Sequence, residues 1–278
     1  MNILKFLESI SNESIMNAAG SRRESFNQFG QIGKNIALAS VPFGLAALTS
    51  TKASAADIQP TPQTPIGALQ LALVLEYLEN EFYETALSTT GLIPTEANAG
   101  RDRKVFEQIA AHESDHVTFL INGLGGTQSS NFVAKPEFDF TAGGAFPDVM
   151  SNYQTFLAVA QAFEDTGVRA YKGQAGNLIT EPALLTAALR IHSVEARHAS
   201  EVRRLRGLKG WITSNNTEIP GTERVYAGEE MTMQAGFNTA NVNNTANGPA
   251  IPASAGSEAF DEALNTAQAV EIANLFIR

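Results

Sequence analysis

A Glu-x-x-His motif occurs twice in this chain, as Glu113-Ser-Asp-His116 and as Glu195-Ala-Arg-His198, and this doubling limits the folds open to it. Positions i and i+3 of an α-helix share one face, so the Glu and His of each motif would project together. Carboxylate and neutral imidazole ligands suit iron, manganese or zinc. One such motif is weak evidence, but two on separate predicted helices indicate a two-metal carboxylate site inside a four-helix bundle.

An internal repeat surrounds the two motifs. Glu76 is followed seven residues later by Tyr83, and Glu164 is followed seven residues later by Tyr171. Seven residues make two helical turns, so each Tyr shares the face of its Glu. Both halves of the chain therefore carry Glu, Tyr, a short connection and Glu-x-x-His in the same order. Because isolated chance matches would not repeat this order, we predict six metal ligands: Glu76, Glu113, His116, Glu164, Glu195 and His198.

Residues beside the predicted ligands leave alternatives open. Glu79 lies one turn after Glu76, but the matching position of the second half is Gly167, so the repeat favours Glu76 as the ligand. Tyr83 and Tyr171 are predicted either to pack in the core or to donate hydrogen bonds to ligand carboxylates.

The segment from His112 to His116 also matches the zinc-protease motif, in which two His bind zinc and the Glu between them acts as a base. That alternative leaves the second Glu-x-x-His and the repeat unexplained. The counterpart of His112 in the second half is Val194. We therefore predict that His112 is not a metal ligand, and that His192 is not one either.

Helical spacing of the apolar residues predicts four long helices. They cover about residues 66–89, 97–122, 147–175 and 181–208, with Pro182 in the first turn of the fourth. The connections within the first pair and within the second pair are short, whereas about residues 125–146 could run the length of a bundle. The predicted fold is all-α, with two helical hairpins joined by one long crossover.

Two other segments flank the bundle domain, which is predicted to span residues 56–208. Residues 209–278 are predicted to form an extension: an irregular, ordered cover over about residues 210–256, then a fifth helix over about residues 260–277. Residues 1–55 are predicted to be a signal segment, with twin arginines at Arg22 and Arg23, an apolar run and an Ala53-Ser-Ala55 cleavage site. We therefore expect export to the periplasm by the twin-arginine pathway, and no stable membrane insertion after processing.

Composition excludes several classes of site and partner. The chain has no cysteine, which excludes disulfides, thiolate zinc sites and iron–sulfur clusters. Its formal net charge of -10 argues against nucleic acid as a partner.

The motifs and the repeat resemble the ferritin-like superfamily over about residues 65–208. The resemblance is closest to exported bacterial ferritin-like proteins of the desiccation-related type, with kinship to rubrerythrins, bacterioferritins and manganese catalases. It implies a ferritin-like four-helix bundle that holds two iron or two manganese ions. It also implies that Glu113 and Glu195 bridge the ions, and that Glu76 and Glu164 are terminal ligands.

The resemblance further implies a reaction with a small oxidant such as O2 or H2O2, either metal oxidation or peroxide removal. The expected enzyme is a di-metal oxidoreductase of the ferroxidase, peroxidase or catalase type, with no catalytic residue apart from the ligands. The alternative is a non-catalytic metal-binding or stress-protective structural protein. Because the crossover and the extension are long, we expect a monomer or a small oligomer rather than a ferritin shell.

Overall fold

The computed structural model describes residues 57–95, 100–215, 219–241 and 252–278. Its four long helices are α1 (Pro65–Ser88), α2 (Arg101–Gly123), α3 (Tyr153–Gln174) and α4 (Pro182–Leu205). Almost all remaining structure is short helix or turn, so the predicted all-α bundle is confirmed. No helix of the described part of the chain is both long and apolar enough to span a membrane. The predicted signal segment lies outside the described residues.

Side-chain caps and prolines fix where the long helices begin. The Thr64 side chain accepts a hydrogen bond from the Gly67 amide ahead of α1, and Pro182 begins α4 as predicted. Helix α3 begins six residues later than predicted, at Tyr153. Its N-cap is Asn152, whose side chain accepts from two amides of the first turn, so residues 147–152 form turns instead of helix.

Two hairpins make up the bundle, because α1 packs against α2 and α3 packs against α4. The crossover, residues 124–152, contains no regular helix. It is tied to the end of the chain by a β-bridge between Phe138 and Ile277, in which the Asp139 amide donates to the Phe276 carbonyl at 2.8 Å. Residues 132–139 are the part of the crossover without turns, whereas residues 140–151 are turns that lead into α3.

The extension after the bundle contains short elements. They are α5 (Glu223–Tyr226), a two-stranded hairpin of β1 (Met233–Gln234) and β2 (Phe237–Asn238), α6 (Ser254–Glu258) and α7 (Thr266–Ala273), with 3-10 turns at Thr239–Asn241 and Asn274–Phe276. Where the structure describes the predicted cover, residues 210–215, 219–241 and 252–256, it consists of turns, short helices and this two-stranded hairpin.

The predicted fifth helix over residues 260–277 is wrong in its first third. Residues 260–265 are not helical, because their backbone amides bond to other parts of the chain. The Glu262 amide donates to the Glu229 carboxylate at 2.7 Å, and the Leu264 amide donates to the Arg169 carbonyl at 3.1 Å. Helix α7 begins only after Asn265, which forms a capping box with Gln268.

An aromatic cluster fills the bundle beside the predicted metal ligands. Phe82 stacks on Phe156 with ring centroids 5.1 Å apart and meets Phe163 edge-on at 4.9 Å. Phe106 joins the cluster and stacks on Tyr83, with centroids 5.8 Å apart. Rings that cannot move without opening the core hold the neighbouring polar side chains in place.

Candidate metal centre

The six predicted ligands all lie in the interior of the bundle, on all four long helices. The carboxylates of Glu76, Glu113, Glu164 and Glu195 have no exposed surface. The two imidazoles are 9% exposed at His116 and 5% exposed at His198. Unpaired carboxylates in such a place are costly, so their burial needs a compensating cation or proton.

These side chains form two groups whose candidate ligand atoms lie within 4.8 Å of one another. The first group is Glu76, Glu113, His116 and Glu195, and the second is Glu113, Glu164, Glu195 and His198. The two groups share Glu113 and Glu195. Two overlapping groups that share two carboxylates could hold a pair of ions.

Several ligand atoms face one another without bonding. The Nδ1 atom of His198 lies 2.8 Å from Oε1 of Glu113, yet neither atom makes a hydrogen bond within the described part of the chain. Oε2 of Glu164 and Oε1 of Glu195 likewise make no hydrogen bond there, although they lie 3.3 Å from Nδ1 of His198 and 3.2 Å from Nδ1 of His116. Oε2 of Glu195 makes none either. Buried atoms of this kind usually bond to protein or water. Oxygen and imidazole atoms that converge without bonding fit iron, manganese or zinc.

Protons must otherwise balance the charge of the cluster. Burial is the main cause that raises the pKa of Glu113 to about 7, and it raises the pKa of Glu195 well above its ordinary value. Burial would lower the pKa of His198, but nearby Glu164 and Glu113 raise it to about 11. The metal-free cluster therefore holds protons that cations would displace.

A second buried charged cluster, on the side of α3 that the extension covers, contains its own cations. There Arg203 pairs with Asp165, and Arg169 pairs with Glu229 at 2.8 Å. Among the described residues, no Lys or Arg forms an ion pair with the four ligand carboxylates. The chain supplies Arg cations to this second cluster, whereas within its described part the only groups at the predicted ligands that can carry a positive charge are His116 and His198.

Tyr83 and Tyr171 both donate hydrogen bonds to ligand carboxylates, but each crosses to the other hairpin. Tyr83 on α1 donates to Oε1 of Glu164 on α3. Tyr171 on α3 donates to Oε1 of Glu76 on α1 at 2.5 Å. The shared face that the spacing of seven predicts is present, yet the partner is the carboxylate across the bundle. Both Tyr side chains are also buried among aromatic or apolar neighbours, so the two interpretations of the sequence coexist.

His112 contacts the group of predicted ligands through one of its members, His198. Its Nδ1 atom lies 2.9 Å from Nε2 of His198, and the two rings are nearly parallel with centroids 5.2 Å apart. Gln108 holds the other nitrogen of His112 at 2.9 Å. The outer nitrogen of a ligand His commonly bonds in this way, which fixes its orientation and tautomer. This contact could not be predicted from the repeat, because Val194 stands at the matching position of the second half.

The geometry does not support the zinc-protease alternative. His112 belongs to neither group of converging ligand atoms, and its ring lies behind His198 instead. His192 is also remote from both groups, since its Nδ1 atom lies 3.0 Å from the Val168 carbonyl oxygen.

Glu79 is a buried carboxylate that the repeat argument set aside. Its side chain is 3% exposed and faces Gly167 on α3. A Cβ atom at Gly167 would lie 3.3 Å from Oε1 of Glu79 and 3.0 Å from Oε2 of Glu195. Burial and the neighbouring carboxylates, Glu195 first among them, raise the pKa of Glu79 well above its ordinary value. Gly167, which in the repeat stands at the position of Glu79, is therefore the residue whose missing side chain leaves space for the Glu79 carboxylate.

Comparison with known proteins gives one match. A family model described as a ferritin-like domain matches residues 64–208, which is more than half of the chain and covers all four long helices. Neither the curated proteins nor the solved structures contain a match.

Proposed function

Because this chain belongs to the ferritin-like domain family, we propose that its bundle binds two iron or two manganese ions. Glu113 and Glu195 would bridge the ions, since they are the members common to both ligand groups. The terminal ligands would be Glu76 with His116 on one ion and Glu164 with His198 on the other. The observation that carries this proposal is the convergence of buried carboxylate oxygens and imidazole nitrogens in two overlapping groups, in which several atoms make no hydrogen bond within the described part of the chain.

We propose that the centre serves redox chemistry with a small oxidant, either Fe(II) oxidation or removal of peroxide. A pair of iron or manganese ions would supply the electrons that such an oxidant accepts. The chain's own residues orient the ligands: Tyr83 and Tyr171 hold the terminal carboxylates, and His112 holds His198. The aromatic cluster around Phe82 and Phe106 keeps bulk water from that side of the site.

The second candidate is non-catalytic metal binding or a stress-protective structural role. The burial of the ligands favours it, because the four carboxylates have no exposed surface. A sealed site would retain metal but would turn over a substrate slowly.

Metal analysis and kinetics on one preparation test both candidates. We expect protein from metal-replete cells to carry about two iron or manganese ions per chain, because the six ligands suit two ions. It should also consume H2O2 or oxidise Fe(II) faster than Glu195→Ala, a variant lacking a proposed bridge. Two ions without turnover would support the second candidate. One zinc per chain, retained when iron and manganese are supplied, would contradict the two-metal proposal.

We also propose that the protein is exported and works as a monomer or a small oligomer. The proposal of export rests on the twin arginines at Arg22 and Arg23 with the apolar run and small residues that follow. Changing both arginines to Lys should retain a longer precursor in the cytoplasm, as seen by immunoblotting of cell fractions. Normal processing of that variant would contradict the proposed pathway.

A further inference from the structure

A groove with a volume of about 530 Å³ opens between α2 and α4 on the outside of the bundle. The rings of His112 and His198 lie along it. His198 presents Nε2 to His112, while its Nδ1 atom faces Glu113 in the ligand cluster. A single imidazole ring therefore separates the groove from the proposed metal centre.

The position of the groove follows from how the helices pack. Each hairpin packs closely within itself, and α1 also packs against α3. Helices α2 and α4 contact each other least among these pairs. The crossover and the extension lie elsewhere, since none of their described residues lines the groove. The groove therefore lies where the two hairpins pack against each other most loosely.

The groove is cationic although the protein is acidic. Its charged lining residues are Arg101, Lys104, Arg197 and Glu201. Arg101 pairs with Glu201, which cancels two of these charges. Lys104 and Arg197 are exposed, and neither forms an ion pair with any residue that the structure describes. The chain as a whole has a net charge of -10, so two cations that pair with no described residue form a local field of opposite sign here, which Asp115 near His112 offsets in part.

Charged side chains at the entrance of the groove change the rate at which charged molecules approach it. A cationic mouth raises the local concentration of anions and lowers that of cations, whereas a neutral molecule is little affected. The effect falls with salt, because the charges are exposed and the screening length is about 8 Å at physiological ionic strength. A hydrated Fe(II) or Mn(II) ion would therefore meet a barrier here that H2O2 would not meet.

We propose that this groove is the route by which reactants reach the metal centre, and that Lys104 and Arg197 select uncharged or anionic small molecules over divalent cations. The inference rests on the proposed function and restricts its range of substrates. The substrate class is a small neutral or anionic oxidant such as a peroxide, and the sustained oxidation of incoming Fe(II) is disfavoured.

Reversing the charge of the mouth tests the selectivity. The variant is Lys104→Glu with Arg197→Glu, and the matched control is Arg190→Glu with Arg224→Glu, which changes net charge equally at exposed positions outside the groove. Azide association with iron-loaded, oxidised protein is followed by stopped-flow absorbance at low salt, and Fe(II) oxidation is measured on the same samples. We expect azide to associate about tenfold more slowly and Fe(II) to be oxidised about tenfold faster in the groove variant than in the control.

Filling the groove tests the route independently of charge. Gln108 is an exposed lining residue, so Gln108→Trp adds bulk without entering the core. Gln108→Ala is its control, because it also removes the contact with His112. We expect Gln108→Trp to slow azide association and H2O2 consumption together, and to a greater extent than Gln108→Ala does.

The outcomes separate this inference from the proposed function. An iron-loaded wild type that shows no azide spectrum would contradict the proposed centre itself. A wild type that binds azide, with a charge variant that matches its control, would overturn the selectivity. Equal azide rates in Gln108→Trp and Gln108→Ala would show that reactants reach the centre by another route.

Discussion

The two hairpins of the bundle match at every proposed ligand, and two of the positions at which they differ place a side chain next to the proposed ligands. Each hairpin supplies a Glu, a Tyr that reaches the other hairpin, and a Glu-x-x-His. The α1–α2 hairpin adds Glu79 and His112, where the α3–α4 hairpin has Gly167 and Val194. The repeat thus sets the ligands, and the departures from it make the two proposed metal positions unequal.

At both of these positions, a side chain of the α1–α2 hairpin contacts a residue of the α3–α4 hairpin. Glu79 occupies the space that Gly167 leaves free on the opposite helix, and His112 bonds to the ligand His198 of the other hairpin. No imidazole stands at Val194 to support His116 in the same way. The ion near His198 should therefore be held by a better supported His than the ion near His116.

The largest expected effect tests the part that the hairpins share. Glu113→Ala and Glu195→Ala should each lose most of both ions, because each removes a carboxylate common to the two ligand groups. His116→Ala and His198→Ala should each weaken chiefly one ion. Metal content of folded protein, with folding checked by circular dichroism, measures these losses. Retention of both ions in Glu195→Ala with loss of both in His112→Ala would contradict the two-metal arrangement.

The second prediction concerns the space at Gly167. Gly167→Ala places a methyl carbon 3.0 Å from Oε2 of Glu195 and 3.3 Å from Oε1 of Glu79. Crowding of this kind in a packed interior costs about 1–3 kcal/mol, so we expect a lower melting temperature and weaker metal binding. Gly176→Ala is the control, since a Cβ atom there meets nothing within 4 Å. Equal stability of the two variants would show that Glu79 and Glu195 can move aside freely.

The sequence was sufficient to predict the four helices, the long crossover and the residues that form the two ligand groups. Those features follow from the spacing of residues within a single helix, and this spacing can be read directly from the sequence. Contacts between helices were not predictable in the same way: the Tyr side chains cross the bundle, and His112 meets His198. Helix α3 and helix α7, the predicted fifth helix, both begin later than predicted, because the side chains of Asn152 and Asn265 cap their first turns. Such local hydrogen bonds compete with helical periodicity.

The third prediction concerns the metal-free protein and pH. Burial raises the pKa of Glu113 from 4.5 to about 7, so the folded state keeps a proton that the unfolded chain releases, and stability falls as pH rises from 4.5 to 7. His198 has a pKa raised from 6.5 to about 11, so its contribution is full below pH 6.5 and declines as pH rises toward 11. Melting temperatures of chelated protein should therefore be lower at pH 8 than at pH 5.

Single substitutions assign this pH dependence to a hairpin. Glu113→Gln should flatten the decline between pH 4.5 and 7, because it removes the carboxyl that titrates there. Glu195→Gln should also weaken the decline of stability with pH, since burial raises the pKa of Glu195 well above its ordinary value. With metal bound, the stabilisation should instead grow with pH, because protons compete for the ligands. A profile as steep as that of the wild type in either variant would show that its carboxyl group does not contribute to the decline.

The smallest expected effect tests the unequal support of the two His ligands. His112→Ala removes the partner 2.9 Å from Nε2 of His198, while Val194→Ala alters the matching position, where no such bond exists. Loss of a partner that orients a ligand His costs about tenfold in metal affinity at the low end of the usual range. We expect His112→Ala to release one ion per chain to a chelator about ten times faster and the second ion at an unchanged rate. Val194→Ala should release both ions as wild type does.

A rescue variant separates the hydrogen bond of His112 from its bulk. Because the faster release in His112→Ala depends on the lost hydrogen bond and not on bulk, His112→Gln should restore part of the slow release. Equal acceleration of both ions in His112→Ala would mean that the hairpins are coupled through the bridging carboxylates, and that His112 supports the whole centre instead of one half.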